Sequence, residues 1–295
     1  MTETPPTTFS IIIPAKNEAT SLAPLLHTLH DQHPKAEIIF VDDGSTDNTS
    51  EIRTNANVTC ISHPYPMGNG AAIKTGARAA TGEILVFMDA DGQHRPEEIQ
   101  SLLDKLDEGY DMVVGARDRK GQAGLGRLLA NTIYNKLASW MTGHKIEDLT
   151  SGFRAVRADK FREFLHLLPN GFSYPTTSTM AFFRAGYAVT YIPIEVRQRE
   201  GKSHINIWKD GVRFLLIIFK VGTLYSPLKL FIPISLLHGF IGLSYYAYTF
   251  ITVGRFTNMS AMLLSSAVII FLIGLISEQI TALLYQDKGQ DNNHK

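Results

Sequence analysis

Four short apolar runs rich in branched residues punctuate the first part of the chain, at residues 9–14, 37–41, 84–88 and 112–115. Helical spacing of apolar positions lies between them, at 22–30 and 70–80. Buried strands alternating with helices predict an α/β fold: a mostly parallel sheet with helices on both faces. The pattern changes near residue 230. Two uncharged stretches, at about 230–253 and 259–284, each reach the roughly 20 apolar residues that a bilayer crossing needs. A few residues at 254–258 join them, so the pair is expected to be a transmembrane hairpin. The competing reading is a buried hairpin of a soluble protein. Just before it, residues 205–225 alternate bulky apolar groups (Trp208, Phe214, Phe219) with cations (Lys209, Arg213, Lys220). That pattern predicts an amphipathic helix lying on anionic headgroups or, alternatively, packed on the domain.

Charge sharpens this division. The 295 residues carry 28 basic and 28 acidic side chains, and Arg255 is the only formal charge between Leu230 and Ser277. A zero net charge argues against a dedicated nucleic-acid binder, which normally shows a basic excess. A single cysteine, Cys60, excludes an intramolecular disulfide and a thiolate zinc site. Residues 1–10 lack both a basic segment and an apolar core, so no signal peptide is expected there. Lys220 and Lys229 precede the hairpin, and Lys288 and Lys295 follow it. The asymmetry predicts cytoplasmic termini and a cytoplasmic N-terminal domain. The expected organisation is therefore a catalytic domain at 1–204, an interfacial helix at 205–227, a hairpin at 228–285 and a tail at 286–295. Glu278 and Gln279 are read as boundary residues, or as contacts between copies in a homo-oligomer, rather than as a proton relay.

The chemistry gathers where strands end. Pro14-Ala15-Lys16-Asn17-Glu18 closes the first run, Asp42-Asp43-Gly44-Ser45 the second and Asp89-Ala90-Asp91-Gly92-Gln93-His94 the third. Open parallel sheets bind ligands at the carboxyl ends of their strands, so the three clusters are expected to meet in one crevice. Asp89 and Asp91, two apart, point to the same side of an extended segment. With Gln93 they make a hard oxygen set suited to Mg2+ or Mn2+. Such an ion reverses the repulsion that two carboxylates would exert on a diphosphate. Asp42 or Asp43 would accept hydrogen bonds from a base N–H or from ribose hydroxyls. The alternative for that cluster is a turn with a helix cap. Gly68-Asn69-Gly70-Ala71-Ala72-Ile73-Lys74-Thr75 approaches a phosphate-binding loop, but Ile73 stands where a glycine is required. It reads instead as a Gly-rich turn opening a helix near the donor pocket. His94, beside the acidic pair, is read as either a site residue or a solvated loop residue.

Taken in order, these motifs resemble the inverting family 2 glycosyltransferases of GT-A fold. They resemble most closely the polyprenyl-phosphate glycosyltransferases, a group that includes dolichol-phosphate mannose synthase. Gly115-Ala116-Arg117, Thr150-Ser151-Gly152-Phe153-Arg154 and Gly201-Lys202-Ser203 fit the same pattern. The resemblance implies transfer of a hexosyl group from a nucleoside-diphosphate sugar to a polyprenyl phosphate. It implies that Pro14, Lys16, Asn17, Glu18, Val41, Asp42 and Asp43 line the nucleotide pocket. Asp89, Ala90, Asp91 and Gln93 would hold the metal and the diphosphate. Arg117, with Arg127 as a second candidate, would meet the acceptor phosphate. Asp148, Ser151 and Arg154 would position acceptor or sugar, and Arg199, Ser203 and His204 would belong to a basic segment folding over the site. Three positions depart from the pattern: Lys16 replaces an aromatic, His204 a lysine and Gln198 an arginine. Two rival readings remain: a processive or hydroxyl-acceptor enzyme of this fold, and an inactive membrane scaffold. A processive synthase would carry a Q-x-x-R-W motif, which does not occur here.

Overall fold

The computed structural model describes residues 8–52, 58–117, 125–171, 173–195, 219 and 222–286, giving for 125–131 and 286 the backbone only. Contacts divide the chain into two compact units, Met1–His204 and Ile205–Lys295.

In the first unit, the described strands form one sheet in the order β3-β2-β1-β4-β6-β5-β7. Their ranges are β1 Phe9–Ala15, β2 Glu37–Asp42, β3 Val58–Ser62, β4 Ile84–Phe87, β5 Met112–Arg117, β6 Arg154–Arg157 and β7 Val189–Ile194. All pairings are parallel except those of β6, which runs against both β4 and β5. Ile11, Ile12 and Ile13 are fully buried in succession because helices cover both faces of β1. Helix α1 (Ala19–Gln32) buries Leu22, Leu25, Leu26 and Leu29, one apolar stripe at helical spacing. Helix α3 (Glu98–Asp107) does the same with Ile99, Leu102, Leu103 and Leu106. Helix α2 is Asn69–Ala79, α4 Leu125–Thr142, α5 Ala158–Glu163 and α6 Tyr174–Arg184.

The topology locates the site. The chain runs from β1 outward through β2 to β3, then returns to place β4 on the other side of β1. The strand order reverses there, and the carboxyl ends of β1 and β4 open a crevice.

The second unit contains α7 (Pro227–Val253) and α8 (Asn258–Gln286). At about 1.5 Å per residue, both exceed the roughly 30 Å of a hydrocarbon core. A soluble-core hairpin would be mostly buried. Instead only 6% of the most apolar window of α7 and 17% of that of α8 are covered. The helices approach closely where Gly242 meets Leu263 and Leu264 and where Gly274 meets Phe231. Ser235 Oγ donates to the Ala267 carbonyl at 2.8 Å. Glu278 Oε2 accepts the Leu228 N–H at 3.3 Å. This acid therefore has a partner within its own chain, at the start of α7, where unpaired N–H groups favour a carboxylate. Of the expected interfacial helix, Phe219 and residues 222–225 are helical, and 205–218 lie outside the described residues.

Candidate active site

Pro14, Ala15, Lys16, Glu18, Asp43, Asn69, Asp89, Ala90 and Asp91 line the crevice. Seven of these carry sequence assignments; Ala15 and Asn69 are additions. Asn69 opens α2 behind the turn at Gly68, which the Gly-rich segment marks. The N–H groups of Gly70 and Ala71 are already bound, to the carbonyls of Gly171 (3.2 Å) and Asn170 (2.9 Å). At these two positions the start of α2 is therefore closed by neighbouring backbone.

The acidic pair stands at the end of β4. Asp91 Oδ1 accepts the Gln93 N–H at 3.1 Å, a tight turn that fixes the loop. Gln93 contributes to this turn through its backbone and does not line the crevice. His94 is buried, with its ring stacked on Phe153 at 4.9 Å and its Nε2 3.6 Å from Asp89 Oδ2. Behind Asp89 runs Gly152. A β-carbon there would sit 3.1 Å from Asp89 Oδ2 and 3.3 Å from the Tyr174 hydroxyl, so glycine allows this close approach. Among the described residues, no group of three or more His, Cys, Asp or Glu is placed to hold a metal ion. Two carboxylates in an open crevice fit a different arrangement: a hard cation that keeps positions free for substrate phosphates.

The second strand end is heavily bonded. Asp43 Oδ1 accepts from the Met67 N–H at 2.7 Å and pairs with His63 Nδ1 at 2.8 Å, while Oδ2 accepts the Gly68 N–H at 2.8 Å. Burial pushes the Asp43 carboxyl up, but these bonds outweigh it and hold the group below the usual value. Gly44 permits the fold-back. It takes a φ of 66°, and a β-carbon would strike Tyr65 and Pro66 backbone at 2.7 Å. Asp42 is buried and accepts the Ser45 N–H at 3.1 Å; Asn17 Oδ1 accepts the Thr46 N–H at 2.8 Å. Asn17 thus ties the first two strand-end loops together, Asp42 closes a turn within the second, and neither lines the crevice. For Asp42, the turn reading is the observed arrangement.

At the end of β5, Arg117 forms a fork on Asp148. Its Nε donates to Oδ2 at 2.7 Å and its Nη2 to Oδ1 at 3.0 Å; Nη2 also donates to Thr150 Oγ1 at 2.5 Å. Burial lowers the guanidinium's proton affinity, but Asp148, and then Asp89, raise it above the ordinary value. Burial raises Asp148, but Arg117 more than reverses this and holds it below the usual range. Asn135 of α4 secures the segment, donating to the Glu147 carbonyl at 2.7 Å and accepting the Leu149 N–H at 3.1 Å.

Three further assigned residues are buried away from the crevice. Val41 is fully buried within β2. Arg154 is also fully buried and turned towards α6. It donates to the Pro175 carbonyl at 3.0 Å, Ser178 Oγ at 2.9 Å, Thr179 Oγ1 at 3.0 Å and the Ser151 carbonyl. It pins α6 to β6 and holds neither acceptor nor sugar. Ser151 is buried, and its hydroxyl has no partner among the described residues. The Arg127 side chain, Arg199, Ser203 and His204 lie outside the described residues.

The comparisons agree with this architecture. Residues 10–165 match the family described as glycosyl transferase family 2, and residues 226–283 match the GtrB C-terminal hairpin. A polyprenol monophosphomannose synthase of Mycolicibacterium smegmatis is 30% identical over 64% of this chain and 77% of its own length. An undecaprenyl-phosphate mannosyltransferase of Micrococcus luteus is 30% identical over 66% of this chain and 86% of its own. Glycosyltransferase AglJ of Haloferax volcanii is 26% identical over 94% and 95%. Glucosyl-3-phosphoglycerate synthase of Mycobacterium tuberculosis, crystallised with Mn2+, UDP and phosphoglyceric acid, shares the fold. Its TM-score is 0.58 at 22% identity, covering 74% of this chain and 78% of that one.

Proposed function

We propose that this chain, which belongs to glycosyl transferase family 2, moves a hexosyl group from a nucleoside-diphosphate sugar to a membrane polyprenyl phosphate, inverting the anomeric centre. The observation that carries the reading is the state of Asp148. Enzymes that use a hydroxyl acceptor need a base to take its proton. Of the two acids before Thr150, Asp148 is instead neutralised by a two-pronged grip from Arg117, and Glu147 pairs with Lys145. A phosphate acceptor is already anionic at neutral pH and needs a cation to receive it, not a base. Relatives named for polyprenol or undecaprenyl phosphate support the same acceptor class.

The roles follow from position. Pro14, Lys16, Glu18 and Asp43, which line the crevice, would wall its nucleotide end. Asp89 and Asp91 would hold Mg2+ or Mn2+, which would offset the charge gathering on the leaving diphosphate. The structural neighbour crystallised with Mn2+ and UDP supports such an ion. Arg117 uses Nε and Nη2 on Asp148 and Thr150 and presents Nη1 to an acceptor oxygen, aligning it for attack. The acceptor oxygen forms the new bond to the anomeric carbon. The bond to the diphosphate breaks, and its electron pair leaves on the diphosphate oxygen. No protein proton transfer is required.

The hairpin would anchor the enzyme by two spans, with both termini and the catalytic unit in the cytoplasm, and restrict its search to the plane that holds the acceptor. The test is to incubate membranes containing the chain with a panel of labelled UDP- and GDP-sugars and polyprenyl phosphate. The expected result is metal-dependent label in a lipid extract. Label only in water-soluble glycosides, or none, would reject the reading.

A further inference from the structure

Asp43 belongs to a relay that continues away from the crevice. His63, just beyond β3, reaches Asp43 Oδ1 with Nδ1 at 2.8 Å and Thr75 Oγ1 of α2 with Nε2 at 2.9 Å. Both ends of the contact are largely shielded, each side chain being 7% exposed. The chemistry of the partners orders the protons. The Asp43 carboxylate accepts only, so Nδ1 carries the hydrogen in a neutral ring. Nε2 is then an acceptor, and the Thr75 hydroxyl donates to it.

The consequence lies in the acceptor count of Asp43. A carboxylate offers about four acceptor positions. Met67 N–H, Gly68 N–H and His63 take three of them. The remaining one belongs to Oδ2, on a residue that lines the crevice. Without His63, the carboxylate would hang from two adjacent backbone N–H groups of one turn, a hinge about which it can pivot. The third bond, from a different strand end, stops that rotation. A rigid acceptor loses less entropy when a ligand N–H or O–H docks on it.

We propose that His63, set by Thr75, is a positioning residue for donor binding. It fixes the one free acceptor position of Asp43 for a hydrogen-bond donor on the nucleoside. This inference rests on the donor reading of the crevice given above. It assigns His63 no contact with substrate and no part in the bond-making step.

The experiment uses the full chain in lipid nanodiscs, with UDP and GDP as probes, read by calorimetric affinity and by thermal unfolding. His63→Phe should weaken binding of the preferred nucleotide about tenfold. It should raise the donor KM similarly, while kcat and the acceptor KM stay within twofold. His63→Asn, whose amide can donate where Nδ1 does, should recover affinity to within threefold of the wild type. Thr75→Val should weaken binding about threefold, and Thr75→Ser should not. Selective 15N labelling should show a hydrogen on Nδ1 of His63. Unchanged nucleotide affinity in both His63→Phe and Thr75→Val would overturn the positioning role, as would a His63 ring with no hydrogen on Nδ1. If His63→Phe fails to fold, Thr75→Val and the tautomer decide. A wild-type chain that binds neither UDP nor GDP would instead overturn the proposed function.

Discussion

Arg117 and Asp148 meet through two parallel hydrogen bonds, at 2.7 and 3.0 Å, and the Arg117 backbone N–H adds a third contact to the same carboxylate at 3.3 Å. The end of β5 and the segment before β6 are thus locked at the mouth of the site. Asp148 is nearly buried while Arg117 stays partly open, with side chains 4% and 31% exposed. The arrangement hides the acid and leaves the cation available.

The pH dependence follows from the direction of the shift. Asp148 is held below the ordinary carboxylate value, near 3.9. Its contribution to stability is therefore complete above that value and is lost as pH falls through the lower, folded one. Between pH 5 and 9 the fork does not titrate. The acid limb of kcat/KM should then follow the second ionisation of the acceptor phosphate, near pH 6. Asp148→Asn should keep that limb in place while lowering acceptor kcat/KM by about tenfold. Loss of the limb in that variant would make Asp148 a base after all.

The acidic pair predicts a steeper loss. Asp91→Asn removes a charge from the crevice without changing the shape of the turn, whose Oδ1 can still accept from Gln93. Turnover should fall on the order of 10²-fold or more. Chelation of divalent ions should abolish wild-type transfer, and added Mg2+ or Mn2+ should restore it. Normal turnover by Asp91→Asn with metal present would remove the pair from the reaction.

Arg154 yields the opposite expectation. Its guanidinium is fully buried, below its ordinary proton affinity through burial, with no carboxylate within ion-pair distance among the described residues. Arg154→Met would strand the acceptors of Ser151, Pro175, Ser178 and Thr179. Stability should fall by about 3 kcal/mol, visible as a lower thermal midpoint. Activity per folded molecule should stay within threefold. A stable but inactive variant would restore its assignment to the site.

What the sequence reveals tracks burial. β1, β2, β4 and β5 are covered on both faces and read as unbroken apolar runs. β3 and β7 are edge strands with mixed exposure, and β7 carries Pro193, which an edge tolerates. β6 is four residues bracketed by arginines. None of the three has an apolar run to betray it. At the site, Asp89 and Asp91 are legible because they follow a strand end two residues apart. The Asp43–His63 pair joins positions 20 apart and leaves no local signal. Arg154 misleads because it adjoins Phe153, which stacks on His94; alternation along extended chain turns the next side chain away.

Gly152 separates site geometry from fold stability. A methyl group there would crowd both carboxylate oxygens of Asp89, at 3.1 and 3.3 Å, and the Tyr174 hydroxyl. Tyr174 is fully buried and bonded to the Gly152 carbonyl at 3.1 Å, so it cannot give way. The Asp89 side chain is 37% exposed and can rotate outward. The strain should therefore be relieved by moving Asp89 rather than by unpacking the core. Gly152→Ala should leave the thermal midpoint within about 2 °C of the wild type, since less than 1 kcal/mol is stored. Turnover should fall at least tenfold, and the metal concentration needed for half activity should rise, because a ligand displaced by even 1 Å loses its alignment. A variant with normal metal dependence and a sharply lower midpoint would show that Gly152 serves packing alone.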